Sequence, residues 1–241
     1  MPHTMRPRRN RKTFTLFLIV FSTFYGFGQT YLLTDFVETQ LPKYGIGDLY
    51  DVTLSNHEFS VLNRDGKLII TRTIYKNDST EFNLHNGKLL GTNYGEWGGT
   101  LKFLPNDRNK GELKIIDMNI IFIFQFNEYI YFIGGLAHLS GHSGSMYKLE
   151  NFKDTFSCTK VIDFDYPPDA YALHKDTILV ASGGNLILIK DSKREIIPND
   201  GLSPNSMVFL DNKYVYMGIR GGYVKFNLTN QDRSFYLYKQ D

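Results

Sequence analysis

Two segments share one plan: Thr177-Ile-Leu-Val-Ala-Ser-Gly-Gly-Asn-Leu-Ile-Leu-Ile189 and Tyr214-Val-Tyr-Met-Gly-Ile-Arg-Gly-Gly-Tyr-Val-Lys-Phe226. In each, a run of β-branched and aromatic residues reaches a glycine doublet, and a second such run leaves it. Similar apolar runs occur at Lys67-Leu-Ile-Ile-Thr71, Ile120-Ile-Phe-Ile-Phe124 and Tyr129-Ile-Tyr-Phe-Ile133. Asn, Asp, Gly and Lys break them up, which is the signature of short strands joined by turns. No window of about twelve residues carries the i, i+3, i+4, i+7 apolar stripe of an amphipathic helix. The expectation is an all-β protein.

Glycine doublets recur at Gly98-Gly99, Gly134-Gly135, Gly183-Gly184 and Gly221-Gly222, at intervals of 36, 49 and 38 residues. The units around them also share an apolar run before a short polar turn. The last two end in a more polar strand, Lys193-Arg-Glu-Ile-Ile197 and Ser234-Phe-Tyr-Leu-Tyr238. Four short strands with buried inner runs and a wetter outer strand describe the blade of a β-propeller. Blades stack face to face, so inner strands are covered on both sides and lose strict alternation. Tyr129 to Ile133, apolar at every position, fits that description. Asn63-Arg-Asp-Gly66 reads as a hairpin turn in one further, degenerate unit. The expected fold is a propeller of about five blades, each of four antiparallel strands, with units near 48–86, 87–118, 119–165, 169–200 and 204–241. A two-sheet β-sandwich with hairpins of similar length is the alternative.

One unit resembles a kelch repeat. Gly134-Gly135 ends a strand-like run, and Tyr147 follows at a distance similar to that in kelch proteins. The Trp expected after that Tyr is missing, and Phe152 and Phe156 lie in the neighbourhood instead. The resemblance spans about 25 residues of one unit and implies propeller architecture rather than membership of the kelch family.

The N-terminus reads as a targeting segment. Arg6, Arg8, Arg9, Arg11 and Lys12 precede a short apolar stretch centred on Phe14 to Phe21, and Gly26 and Gly28 stand at the −3 and −1 positions before Gln29. That is the layout of a secretory signal peptide over residues 1–28. The segment resembles export signals of Gram-negative bacteria of the Bacteroidetes type, many of which end in Phe-Gly-Gln. A spanning helix needs about 20 apolar residues, more than this stretch supplies. The expectation is a periplasmic or secreted protein, residues 29–241, without stable membrane insertion after cleavage.

Charge follows from that division. The whole chain has 27 basic and 25 acidic residues, a net of +2. Without residues 1–28, 22 basic residues face all 25 acidic ones, a net of −3 with cations dispersed. A nucleic-acid partner loses its electrostatic footprint. One cysteine, Cys158, excludes an internal disulfide and any multi-thiolate metal site. Its expected role is that of a small buried hydrophobe.

Candidate chemistry is sparse. Gly134-Gly-Leu-Ala-His-Leu-Ser-Gly-His-Ser-Gly-Ser145 holds His138 and His142, four residues apart. A zincin pair needs Glu after the first His, where Leu139 stands, and a helix that the glycines oppose. Gly141-His-Ser-Gly-Ser145 departs from the nucleophile elbow at its last position. The segment therefore reads as a flexible surface loop, with His side chains available to a ligand. Tyr94-Gly-Glu-Trp97 contains the only Trp. Beside Glu96, Trp97 suits a sugar ring, with the indole face stacking and the carboxylate accepting hydroxyl hydrogen bonds. Packing of Trp97 between blades is the competing interpretation. Arg220, just before the last doublet, is a candidate anion contact at the channel or simply a solvated strand end.

The binding candidates are thus Glu96, Trp97, His138, His142 and Arg220, with no metal and no cofactor. The carboxylates Asp48, Asp51, Glu96, Asp117, Asp163, Asp165 and Asp169 could serve glycoside hydrolysis only if separate blades brought two of them together. The expected function is binding of a ligand or partner, whether small molecule, carbohydrate or envelope protein. An enzyme processing glycan or peptide at the channel mouth is the alternative.

Overall fold

The computed structural model describes residues 29–40, 55–73, 78–139, 141–152, 155–191 and 193–239. The expected export segment, Asp48 and Asp51 lie outside the described residues. Among the described residues there is no α-helix, only two short 3-10 turns, and no helix is long and apolar enough to cross a membrane.

Five antiparallel sheets follow one another along the chain. The first pairs Phe59–Arg64 with Lys67–Arg72, and Thr30–Tyr31 adds to the outer side of the latter. The second holds Ser79–Leu84, Gly87–Thr92, Thr100–Pro105 and Leu113–Asp117 in sequence order. The third holds Ile120–Phe126, Tyr129–His138, Gly141–Phe152 and Thr155–Phe164. Pro168–His174, Thr177–Ser182, Asn185–Lys190 and Lys193–Pro198 form the fourth. The fifth runs Ser206–Phe209, Tyr214–Ile219, Gly222–Asn227 and Arg233–Tyr238, with Phe36–Thr39 added at its edge. This is the expected propeller arrangement, not a sandwich: the sheets are successive antiparallel meanders, and apolar cores lie between neighbouring sheets. The boundary expected between residues 86 and 87 is corrected, because Leu84 and Gly87 are partners in one hairpin of the second sheet.

The cores lie between sheets. Leu89, Leu101 and Phe103 of the second sheet meet Ile120, Ile123 and Phe132 of the third. Phe124, Ile133 and Met146 of the third meet Ile178, Val180 and Ile187 of the fourth. Leu179, Ala181 and Leu186 of the fourth meet Met207, Val215, Met217 and Phe235 of the fifth. Phe59, Val61 and Ile70 of the first meet Tyr223 of the fifth, with Tyr31 and Phe36 between them. Successive side chains of a buried strand therefore serve different cores. In Thr177–Ser182, Ile178 and Val180 face one neighbour while Leu179 and Ala181 face the other. That is why the sequence pattern there is continuous rather than alternating.

Four cores join five sheets. Among the described residues no apolar cluster joins the first sheet to the second. The outer face of the second sheet instead carries Lys88 paired with Glu81 and Lys102 paired with Glu112, all reached by solvent.

The N-terminal segment binds the first sheet to the fifth. Thr30 and Tyr31 pair with Thr71 and Ile70, while Phe36 to Thr39 pair with Tyr238 to Phe235. Tyr31 and Phe36 both meet the Phe59 ring edge-on at 5.1 Å, the favoured geometry for aromatic pairs. Polar contacts reinforce the junction: the Val61 N–H donates to Ser206 Oγ at 2.8 Å, and Asn63 Nδ2 donates to the Phe209 carbonyl at 3.1 Å.

Candidate functional site

Strands in each sheet alternate in direction, so the connection between second and third strands lies at the same end as the connection to the next sheet. The glycine doublets occupy that end. Gly183-Gly184 is the two-residue turn closing Ser182 onto Asn185, with positive φ at both glycines (+56° and +73°), as a type I′ turn requires. Three of these turns are tied to chain that leaves or enters a sheet at the same end. Asn119 Nδ2 donates to the Gly95 carbonyl at 2.7 Å, the Asn199 N–H donates to the Gly184 carbonyl at 3.2 Å, and the Gly221 N–H donates to the His57 carbonyl at 2.8 Å. Glycine is needed where these backbones close on one another. A Cβ on Gly134 would stand 2.5 Å from the Asn119 carbonyl oxygen.

All five candidate residues stand at this mouth, in three arrangements. Glu96 and Trp97 ride on the 3-10 turn Gly95–Trp97 of the second sheet. His138 and His142 do not lie on a flexible loop; they belong to a long hairpin of Tyr129–His138 with Gly141–Phe152, in which Ala137 pairs with His142 and His138 with Gly141. Cross-strand pairing along both arms keeps this segment extended, which corrects the loop expectation. The hairpin overhangs the neighbouring turn and brings His138 Nδ1 to 2.6 Å from Glu96 Oε1. His142 stacks on Tyr166 at 4.8 Å, toward the fourth sheet. Arg220 lies apart, donating from Nε to Glu58 Oε1 at 3.1 Å across the junction of the fifth and first sheets. Its guanidinium is engaged by that carboxylate and remains about half-exposed.

Trp97 is 89 % exposed, so packing between blades is excluded as its role. It has company that sequence reasoning missed. Tyr94 and Tyr166 are exposed at the same mouth, and Leu139, at the hairpin tip, is 86 % exposed. Their separation in sequence, from 94 to 166, hides their shared position at this end of the sheets.

A cavity of about 350 Å³ opens at the same end, between the innermost strands of the second and third sheets. Asp78, Ser79, Thr80 and Asn93 form one wall, and Ile120, Ile121 and Phe122 form the other. A second cavity, of about 410 Å³, lies on the outer rim between Lys160–Asp163 of the third sheet and Arg194 of the fourth. There the Asp163 carboxyl is held below the usual carboxylate range, first by the Ser145 hydroxyl donating at 2.7 Å and then by Lys160 at 2.9 Å. Among the described residues, the ionisable groups lining these cavities are Asp78 in the first and Lys160, Asp163 and Arg194 in the second. Among the described residues no group of three or more His, Cys, Asp or Glu could hold a metal ion. Cys158 is half-buried beside the second–third core, and burial raises its thiol pKa.

No protein-family model and no curated protein sequence matches this chain. Among solved structures, Hsv2 carrying a Gly-Ser linker in place of loop 6CD is similar at 10 % identity, covering 72 % of this chain and 60 % of that one, with a TM-score of 0.39. The Rom2 CNH domain is similar at 12 % identity over 78 % of this chain and 88 % of that one, with a TM-score of 0.36. The N-terminal domain of Nup159 is similar at 11 % identity over 77 % and 66 %, with a TM-score of 0.28. The chain spans 60 % of the length of the Hsv2 chain it matches. The class of this protein, a β-propeller, therefore rests on its own five sheets and four inter-sheet cores.

Proposed function

We propose that the chain is an exported binding module whose contact surface is the glycine-doublet mouth of the second, third and fourth sheets. The observation that carries this reading is the exposure of Tyr94, Trp97, Leu139 and Tyr166 at the end of the sheets that also holds the Glu96–His138 pair. Large aromatic side chains exposed together are costly in water and typical of binding hot spots. They stand on turns held by backbone hydrogen bonds, so little ordering is left to be paid for on association. The Glu96–His138 contact is solvent-reached and worth about 0–1 kcal/mol to the fold, and it links the Gly95–Trp97 turn to the hairpin of the third sheet. Export is part of this reading and rests on the basic and apolar pattern of residues 1–28.

Photo-crosslinking tests the surface. A benzoylphenylalanine replacing Trp97 should capture a discrete partner in envelope fractions of producing cells. The same group replacing Glu128, in an exposed turn at the opposite end of the third sheet, should not. Capture from position 128 alone, or from neither position, would sink the proposal.

A further inference from the structure

The cavity between the innermost strands of the second and third sheets has a chemistry that selects among ligands. It presents one carboxylate (Asp78), two hydroxyls (Ser79, Thr80) and one carboxamide (Asn93) against an apolar wall of Ile120, Ile121 and Phe122. Among the described residues its lining contains no Lys, Arg or His that would favour a phosphate, sulfate or carboxylate ligand. A volume of about 350 Å³ lies within the range of small-molecule sites. Hydroxyl-rich rings offer what these walls ask for: donors for a carboxylate, donor–acceptor pairs for hydroxyls and amide, and an apolar C–H face for an aromatic ring.

Asn93 couples this cavity to the exposed platform. Its Oδ1 accepts the Gly95 N–H at 3.0 Å, fixing the start of the turn that carries Trp97. Its own N–H donates to the Asp78 carbonyl at 2.9 Å, so the cavity wall and the platform are one hydrogen-bonded unit. Asp78, for its part, immediately precedes the innermost strand of the sheet.

We infer that the mouth binds a neutral glycan, with one sugar residue in the Asp78–Ser79–Thr80–Asn93 cavity and an adjoining residue on the Trp97 face. The inference rests on the proposed binding role of this mouth and names its ligand class. Asp78 accepts hydroxyl hydrogen bonds, Phe122 and the two isoleucines cover the apolar face, and Trp97 contributes stacking without rearrangement.

Trp97 is the only Trp in the chain, so its fluorescence reports this site alone. A neutral-glycan array should first select an oligosaccharide. Titrating that sugar into the full chain should shift Trp97 emission to the blue and saturate. Asp78→Ala should weaken the affinity about tenfold or more, one lost charge-assisted hydrogen bond being worth about 1.5–3 kcal/mol. Trp97→Ala, read by calorimetry, should weaken it similarly, and the 89 % exposure of that side chain leaves the fold unaffected. Glu128→Ala should bind as the parent does.

An array with no neutral-glycan binding overturns the glycan assignment. So does sugar binding indifferent to Asp78→Ala, or saturation of the Trp97 signal by a simple diamine and by no sugar. If crosslinking from position 97 still captures a protein in those cases, the binding role of the mouth stands and only its ligand class falls. If both fail, both fall.

Discussion

At the scale of single residues, the glycine doublets carried the most information and served two physical purposes. Gly183 and Gly184 supply positive φ to a tight turn, whereas Gly222 supplies room. A Cβ on Gly222 would stand 1.9 Å from the Tyr236 carbonyl oxygen of the adjacent strand, which cannot move without breaking the ladder. Gly222→Ala should therefore cost about 1–3 kcal/mol or more, seen as a lowered urea midpoint. Gly111→Ala is the contrast. Nothing lies within 4 Å of its Cβ position and its φ is not positive, so the same assay should show about 0.4–1 kcal/mol of stabilisation. Residue types in sequence pointed to Glu96, Trp97 and His138 individually. Their environments were not legible, because the Glu96–His138 contact joins a turn and a hairpin tip 42 positions apart.

Elements were legible wherever apolar runs were long and bounded by turn residues. The strands Thr177–Ser182, Asn185–Lys190, Tyr214–Ile219 and Gly222–Asn227 fall where the aligned repeats place them. The hairpin arms through residues 136–145 were not, since Gly, Ser and His there resemble loop composition. Cross-strand pairing from Leu136–Ser143 to His138–Gly141 overrides that composition. The N-terminal strands Thr30–Tyr31 and Phe36–Thr39 were also missed, being short and paired only with strands far along the chain. Their contribution is testable. Phe36 is buried and packs edge-on against Phe59 and Tyr223 at 5.1 Å. Phe36→Ala should cost about 3–5 kcal/mol by urea unfolding, as expected for a buried aromatic truncated to Ala. A cost below about 1 kcal/mol would mean that the segment merely lies on the edges it covers.

At the scale of the whole molecule, the five sheets and four cores among the described residues leave the two faces of the first sheet unequal. Val61 pairs with Ile70 on the face turned to the fifth sheet, whereas Leu62 pairs with Ile69 on the opposite, partly exposed face. Ile70→Ala should cost about 2–5 kcal/mol, the range for a fully buried aliphatic side chain. Ile69→Ala, one residue away in the same strand, should cost about 1 kcal/mol or less. Equal costs would show that a covering layer lies on the Ile69 face. By itself the sequence determined the all-β class, the repeat and its glycine turns, since strand formation and tight turns depend on residue type and near neighbours. Which faces found a partner, how the N-terminal strands joined two sheets, and which exposed aromatics met Glu96 and His138 were decided by tertiary structure alone. Those contacts join residues distant in sequence, and local side-chain pattern carries no record of which distant strand will lie opposite.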